Sequence, residues 1–176
     1  MIQPPPVFSI ADLLAVPKTI ARTFRVSTQD PENARIDLEL EAAYPGSFHV
    51  FVRVLHALGE NFSMGLRFAA PGAVDTVLLR VNGDHGGHRN PDGGWIEEGP
   101  HVHSFRSPAR DQPPRPDSQP RWAWPLPPDH LALPTAWSTF CRLTALASDT
   151  KVDRKISTLY ASSVQLHLPQ LGPSQP

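Results

Sequence analysis

Half of the histidines in this chain fall into one short segment that is rich in glycine. The chain has 176 residues and eight histidines, and the four in this segment are His85, His88, His101 and His103. Imidazole gives and takes protons near neutral pH, and its neutral form is a common ligand of transition metals. We therefore predict that residues 82–103 form the working site, suited to acid–base chemistry or to metal binding.

The two histidine pairs can meet only if the strands that flank this segment pair with each other. Residues 77–82 have the pattern of a β-strand, residues 101–105 that of a second short strand, and residues 90–94 that of a turn. His101 and His103 are two residues apart, so their rings point to one face of the strand. We predict a wide hairpin with both histidine groups at its mouth.

Arginines on the polar positions of neighbouring strands would add positive charge beside the histidines. Arginine holds phosphate groups in a bidentate manner, and histidines can act as acid and base on a phosphodiester. The favoured interpretation is a metal-independent endoribonuclease with the catalytic residues His85, His88, His101, His103 and Arg80. The residues predicted to bind the RNA substrate are Arg53, Arg67, Asn82, Arg89 and Asn90.

Other interpretations of the same residues stay open. The histidine spacing matches no defined zinc signature, so no cofactor is favoured. If a divalent metal such as zinc is bound, in a hydrolytic or a structural site, the predicted ligands are His85, His88, His101 and His103. A third possibility is a non-enzymatic interaction module anchored by Trp122 and Trp124. The histidines could also be exposed loop residues without a function.

The elements that must position the site follow from the periodicity of the chain. Apolar and polar residues alternate over consecutive segments with short turns between them, which predicts an antiparallel meander of about five to six strands. Apolar residues then recur at helical spacing over residues 135–148, which predicts an amphipathic helix on one face of the sheet. Ser9 is expected to cap a short helix, and residues 156–168 to form a last strand. The predicted fold class is α+β.

Length and composition predict a single domain over residues 1–176. The 21 prolines cluster near the start, from Pro108 to Pro134, and near the end. Proline interrupts helices and strand ladders, so we expect a mainly β part at 7–106, a Pro-rich loop at 107–134 and a flexible tail at 169–176.

Charge and cysteine content limit the class of protein. The formal net charge is −1, which lacks the basic excess typical of non-specific nucleic-acid binding. Cys141 is the single cysteine, so no internal disulfide is expected. We recognise no signal-peptide pattern and no long apolar stretch, so a cytoplasmic location without a membrane partner is expected. The oligomeric state is left open.

The segment Arg-Val-Asn-Gly-Asp-His-Gly-Gly-His-Arg-Asn at 80–90, followed by Gly-Pro-His-Val-His at 99–103, resembles a group of small uncharacterised bacterial proteins. More distantly, it is similar to TumE-like toxins of toxin–antitoxin systems. This second resemblance implies an RNA-cleaving toxin of a toxin–antitoxin or phage-defence system, held by a protein antitoxin. The matching positions are Arg80, His85, His88, His101 and His103. The chain departs from the toxins at residues 82–83, where they have Asp-Asn, and in its longer loop after His88.

Overall fold

The computed structural model of the chain describes residues 9–27, 33–55, 59–73, 75–105 and 120–165. The helices in these ranges are α1 (Ile10–Ala15), α2 (Leu133–Leu143) and α3 (Thr150–Gln165), with a 3-10 helix at Pro128–Leu131. The strands are β1 (Lys18–Ser27), β2 (Asn33–Ala42), β3 (Ser47–Leu55), β4 (Phe62–Ala69), β5 (Thr76–Asn82), β6 (His88–Arg89), β7 (Trp95–Ile96), β8 (His101–Ser104) and β9 (Trp122–Pro125).

One antiparallel sheet carries the fold. Seven strands follow the order β1-β2-β3-β4-β5-β8-β9, and β6 pairs with β7 in a separate ribbon. The predicted α+β class and antiparallel meander are confirmed, with one strand more than the upper expectation. The unpredicted strand is β9, which lies inside the stretch assigned to a Pro-rich loop. Pro125 ends this edge strand, a position where a missing backbone N–H is tolerated.

The apolar core lies on one face of the sheet. Alternate strand residues such as Ile36, Val52 and Met64 are fully buried there. Phe140 of α2 and Ile156 of α3 join the same cluster, so the helices cover this face. Because side chains alternate along a strand, the remaining positions of the strands project from the opposite face, away from the helices.

The helices differ in part from the prediction. Ser9 caps α1 as expected, since its hydroxyl accepts a hydrogen bond of 3.1 Å from the Asp12 backbone N–H. The prediction of a strand at 156–168 is wrong over the described residues, because α3 continues to Gln165. Val152, Ile156 and Ser163 are buried at helical spacing, so the helical period was present in the sequence.

Two predictions concern residues that the structure does not describe. These are the 107–119 part of the Pro-rich loop and the tail at 169–176. None of the helices in the described ranges combines the length and the apolar character that crossing a membrane requires.

Candidate metal centre

The predicted hairpin between residues 77–82 and 101–105 is present. Strands β5 and β8 pair in antiparallel register, with Arg80 opposite His103 and Asn82 opposite His101. Directly opposed residues share a face, and so do residues two apart on one strand. These four side chains therefore form one patch on the sheet face that the helices do not cover.

The segment between the two strands returns across this patch. The ribbon of β6 and β7 is fastened by Asn90, whose amide nitrogen donates to the Ala123 carbonyl (3.1 Å) and whose amide oxygen accepts from the Ala123 N–H (2.8 Å). His88 on β6 is thereby held beside the patch. Its ring centre lies 4.5 Å from that of His101 and 4.8 Å from that of His103.

His85 completes the cluster from the loop between β5 and β6. Its ring centre is 5.1 Å from that of His88 and 5.0 Å from that of His101. One ligand atom from each of His85, His88 and His101 lies within 4.8 Å of the other two. The two histidine pairs that are distant in sequence therefore meet above β8, as the hairpin predicted.

Hydrogen bonding fixes the tautomer of His101. Its Nδ1 lies 2.8 Å from the Gly99 carbonyl oxygen, which can only accept, so Nδ1 carries the proton. Burial lowers the pKa of His101 to about 4, so the ring is neutral at pH 7 and Nε2 presents one lone pair. Both Asn82 Nδ2 (3.0 Å) and His88 Nε2 (2.9 Å) face that lone pair.

All four imidazoles are biased toward the neutral form. Burial lowers the pKa of His103 to about 3, and it also lowers the pKa values of His85 and His88. The positive charge of Arg80 acts on each of them in the same direction. Neutral rings offer lone pairs to a metal ion, whereas they are poor proton donors near pH 7.

Unpartnered polar atoms are concentrated at this patch. Among the described residues, five buried side-chain nitrogen or oxygen atoms lack a hydrogen-bond partner, and one of them is Arg67 Nε. The other four are Arg80 Nε, Asn82 Oδ1 and both ring nitrogens of His103. Buried polar groups are almost always satisfied in folded proteins, so such a concentration marks this patch as a candidate place for a bound water, ion or ligand.

Three arginines predicted to bind substrate are not part of the patch on β5 and β8. Arg53 is exposed on β3, two strands from Asn82 in register, and Arg67 lies over the Phe51 ring at 5.1 Å. Arg89 is exposed on β6. Among the described residues, Arg80 is the arginine whose charge lowers the pKa values of the four histidines. Substrate binding by the other arginines stays a prediction.

A family model described as a family of unknown function, DUF6978, matches residues 9–146. The chain belongs to DUF6978. The DUF6978 match runs from the cap of α1 to just past α2, so it includes every residue of the histidine cluster and excludes α3. No curated protein and no solved structure matches this DUF6978 chain significantly. The likeness to TumE-like toxins therefore stays a prediction.

Two glycines near the histidines, neither of them among the predicted site residues, support the site. Gly99, whose carbonyl orients His101, adopts φ +128°, a conformation that side chains disfavour. A Cβ on Gly87 would lie 2.4 Å from the Trp95 ring, so glycine is needed for the ribbon to close. The high glycine content of the segment was the available signal.

Proposed function

We propose that this member of DUF6978 is a metal-binding protein in which His85, His88 and His101 hold one divalent transition-metal ion. The observation that carries the proposal is the crowding at His101 Nε2. One lone pair faces two nitrogen atoms at 2.9 and 3.0 Å, and it cannot accept good hydrogen bonds from both. A metal ion resolves this conflict, because both imidazoles then contribute lone pairs to it.

The spacing of the nitrogens suits such an ion. Zinc binds imidazole nitrogen at about 2.0–2.1 Å, so two ligand nitrogens on a tetrahedral ion are about 3.3 Å apart. The Nε2 atoms of His88 and His101 are 2.9 Å apart. The three ligand atoms of His85, His88 and His101 lie within 4.8 Å of one another. His85 belongs to the loop between β5 and β6, so a rotation of its side chain toward the ion would move no strand.

The donor set favours an ion of the zinc class with an open position. Imidazole suits zinc, copper, iron and nickel, whereas calcium and magnesium prefer oxygen ligands. Three histidines that leave the fourth position to water are typical of catalytic zinc sites, where the ion lowers the pKa of that water. The Gly99 carbonyl supplies the outer hydrogen bond that such ligands usually make.

Metal analysis of the purified chain tests the proposal. We expect one zinc ion per chain by elemental analysis and by calorimetric titration of the metal-free protein. We also expect zinc to raise the melting temperature, because it binds the folded chain preferentially. His88→Ala and His101→Ala should each lower the affinity for zinc at least about tenfold.

The matched control is His49→Ala. His49 lies on β3 and lines a different cavity with Arg67 and Asp75, so zinc binding should be unchanged. His88 is only half buried, which makes His88→Ala informative even if His101→Ala impairs folding. Folded protein that takes up no zinc, copper or nickel would overturn the proposal.

The ribonuclease-like toxin is the second candidate function. It is supported by the resemblance of residues 80–103 to toxin sequences and by Arg80, whose positive charge lowers the pKa values of all four imidazoles. The neutral bias of the histidines argues against acid–base cleavage near pH 7 without a metal. Growth arrest on expression, together with RNA cleavage that persists in chelator and is lost in His103→Ala, would favour it. Normal growth with soluble, folded protein would exclude it.

A further inference from the structure

Arg80 has no counter-ion in the described structure. It makes no hydrogen bond or ion pair with another described residue, and its Nε is buried without a partner. Ion pairs within the described residues include those of Arg22, Arg35 and His130, such as Arg35 with Asp37 at 2.8 Å. A half-buried guanidinium without a carboxylate carries a desolvation cost that a bound anion would offset.

His103, the residue opposite Arg80 in the β5–β8 ladder, also has buried polar atoms without partners. His103 is directly opposite Arg80 and is 5% exposed, and both of its ring nitrogens are buried without partners. A neutral imidazole carries one N–H, so His103 can donate one hydrogen bond into the same space. Arg80 and His103 therefore present donors side by side, two residue pairs along the ladder from Asn82 and His101 and on the same face.

A metal ion in the histidine cluster would increase the need for negative charge. The three ligands are neutral, so the ion keeps its full double charge beside the guanidinium. In the described ranges, Asp84 is the carboxylate whose charge acts on His85, and no carboxylate forms a hydrogen bond or ion pair with the four histidines or with Arg80. Two cations side by side in a partly buried site repel each other, and an anion between them offsets this repulsion.

We propose that this site binds a phosphate group, with one oxygen on the metal ion and the others on Arg80 and His103. The inference rests on the metal centre proposed above and names the class of its ligand. A tetrahedral oxyanion fits because it can engage the ion and the planar fork of arginine at once, through different oxygens.

Cobalt-substituted protein and inorganic phosphate provide the test. Cobalt reports changes in its ligands through its visible absorption, and calorimetry gives the phosphate affinity independently. We expect phosphate to alter the spectrum of the wild-type protein in a saturable manner. Phenyl phosphate and dimethyl phosphate, used as competitors, identify whether free phosphate, a monoester or a diester binds most tightly.

Arg80→Gln is the decisive variant. It should retain one metal ion per chain and bind phosphate at least about tenfold more weakly, because it loses charge-assisted hydrogen bonds. Arg80→Lys keeps the positive charge but lacks the planar guanidinium fork. Its phosphate affinity should therefore lie between those of Arg80→Gln and the wild type. The matched control is Arg154→Gln, since Arg154 is exposed on α3, on the helix-covered side of the sheet.

The outcomes separate this inference from the metal proposal. Metal binding without any response to phosphate or its two esters would overturn the inference and leave the metal centre intact. Equal phosphate affinity in wild type and Arg80→Gln would also overturn it. A chain that binds no metal would overturn the proposed function itself.

Discussion

A single nitrogen atom, Nε2 of His101, decides the chemistry of the site. The Gly99 carbonyl places the proton on Nδ1, and burial keeps the ring neutral. The lone pair of Nε2 is then directed at Asn82 and His88. A histidine in this state is a ligand more than a proton donor, which is why we propose metal binding ahead of metal-free acid–base cleavage.

Asn82→Asp tests this account of His101. The new carboxylate would lie about where the amide now faces His101 Nε2, and its negative charge should raise the pKa of His101 in the metal-free protein. We expect zinc to bind about tenfold more tightly, because a carboxylate oxygen is itself a zinc ligand. Calorimetry measures the affinity, and histidine resonances followed by NMR against pH measure the pKa.

Asn82→Leu is the control for that substitution, since it has a similar volume without the charge. Zinc affinity in Asn82→Leu should not rise. An unchanged pKa of His101 together with unchanged zinc affinity in folded Asn82→Asp would contradict the account.

At the scale of elements, the ribbon of β6 and β7 is held by one side chain. The Asn90 amide imitates a neighbouring strand, because it bonds both the N–H and the carbonyl of Ala123 on the edge strand β9. His88 lies two residues before Asn90, so the same contact positions a proposed metal ligand. The predicted role of Asn90 in substrate binding remains untested, but its amide groups are already engaged.

Asn90→Ala should therefore affect both stability and metal binding. It removes two hydrogen bonds and leaves the Ala123 backbone without partners, which should cost about 1–3 kcal/mol of unfolding free energy. Zinc affinity should also fall, because His88 loses its support. Urea denaturation and zinc titration measure the two effects. Glu97→Ala, a substitution of an exposed residue in the same segment, should change neither the unfolding free energy nor the zinc affinity. Equal values for Asn90→Ala and Glu97→Ala would contradict the role of Asn90 in holding the ribbon.

Lys18 joins two helix ends to the start of the sheet. Its side chain is 1% exposed, and Nζ donates to the carbonyls of Leu14 (3.2 Å), Val16 (2.8 Å) and Thr144 (2.8 Å). Burial lowers the pKa of Lys18 to about 8, and three carbonyl acceptors favour the ammonium form. The charged side chain thus satisfies backbone carbonyls at the C-terminal ends of α1 and α2 that no apolar residue could satisfy.

Lys18→Met should destabilise the protein by about 3 kcal/mol, because one buried and two part-buried carbonyl oxygens lose their donor. Chemical denaturation measures the change. The same substitution at the exposed Lys151 of α3 should leave the unfolding free energy nearly unchanged. A loss of similar size in both variants would show that the carbonyl contacts are not the cause.

At the scale of the whole molecule, the buried histidines make stability depend on pH. The pKa values of His101 and His103 fall from 6.5 to about 4 and about 3 on folding. Between those pH values and pH 6.5 the unfolded chain binds more protons than the folded chain. The unfolding free energy therefore falls as the pH falls. The contribution is complete above pH 6.5, and one such ring contributes on the order of 3 kcal/mol.

We therefore expect the metal-free protein to lose stability progressively from pH 6.5 toward pH 4. Urea denaturation at several pH values measures the slope. His103→Phe removes one buried titrating ring and should make the dependence of the unfolding free energy on pH less steep. Comparing this slope with that of the wild type separates the contribution of His103 from that of the carboxylates. Identical slopes in wild type and His103→Phe would contradict the assignment.

The sequence alone determined the sheet and the place of the site. Alternation along residues 36–41 and 48–55 sets which side chains share a face, and glycine and proline mark the turns, because both effects act between near neighbours. It also placed His101 and His103 on one face. Strand β9 and helix α3 were missed, the first because prolines obscured a short edge strand, and the second because its polar surface weakened the helical period.

Tertiary structure decided what the site can do. The β5–β8 register, the crossing of β6 over β8 and the Asn90 contact to β9 join residues that are far apart in the chain, and no local pattern specifies such pairings. The proton position on His101 and the burial of all four rings follow from those pairings. Because pKa and metal affinity depend on surroundings, the sequence could name the histidines, whereas only the fold could make three of them converge.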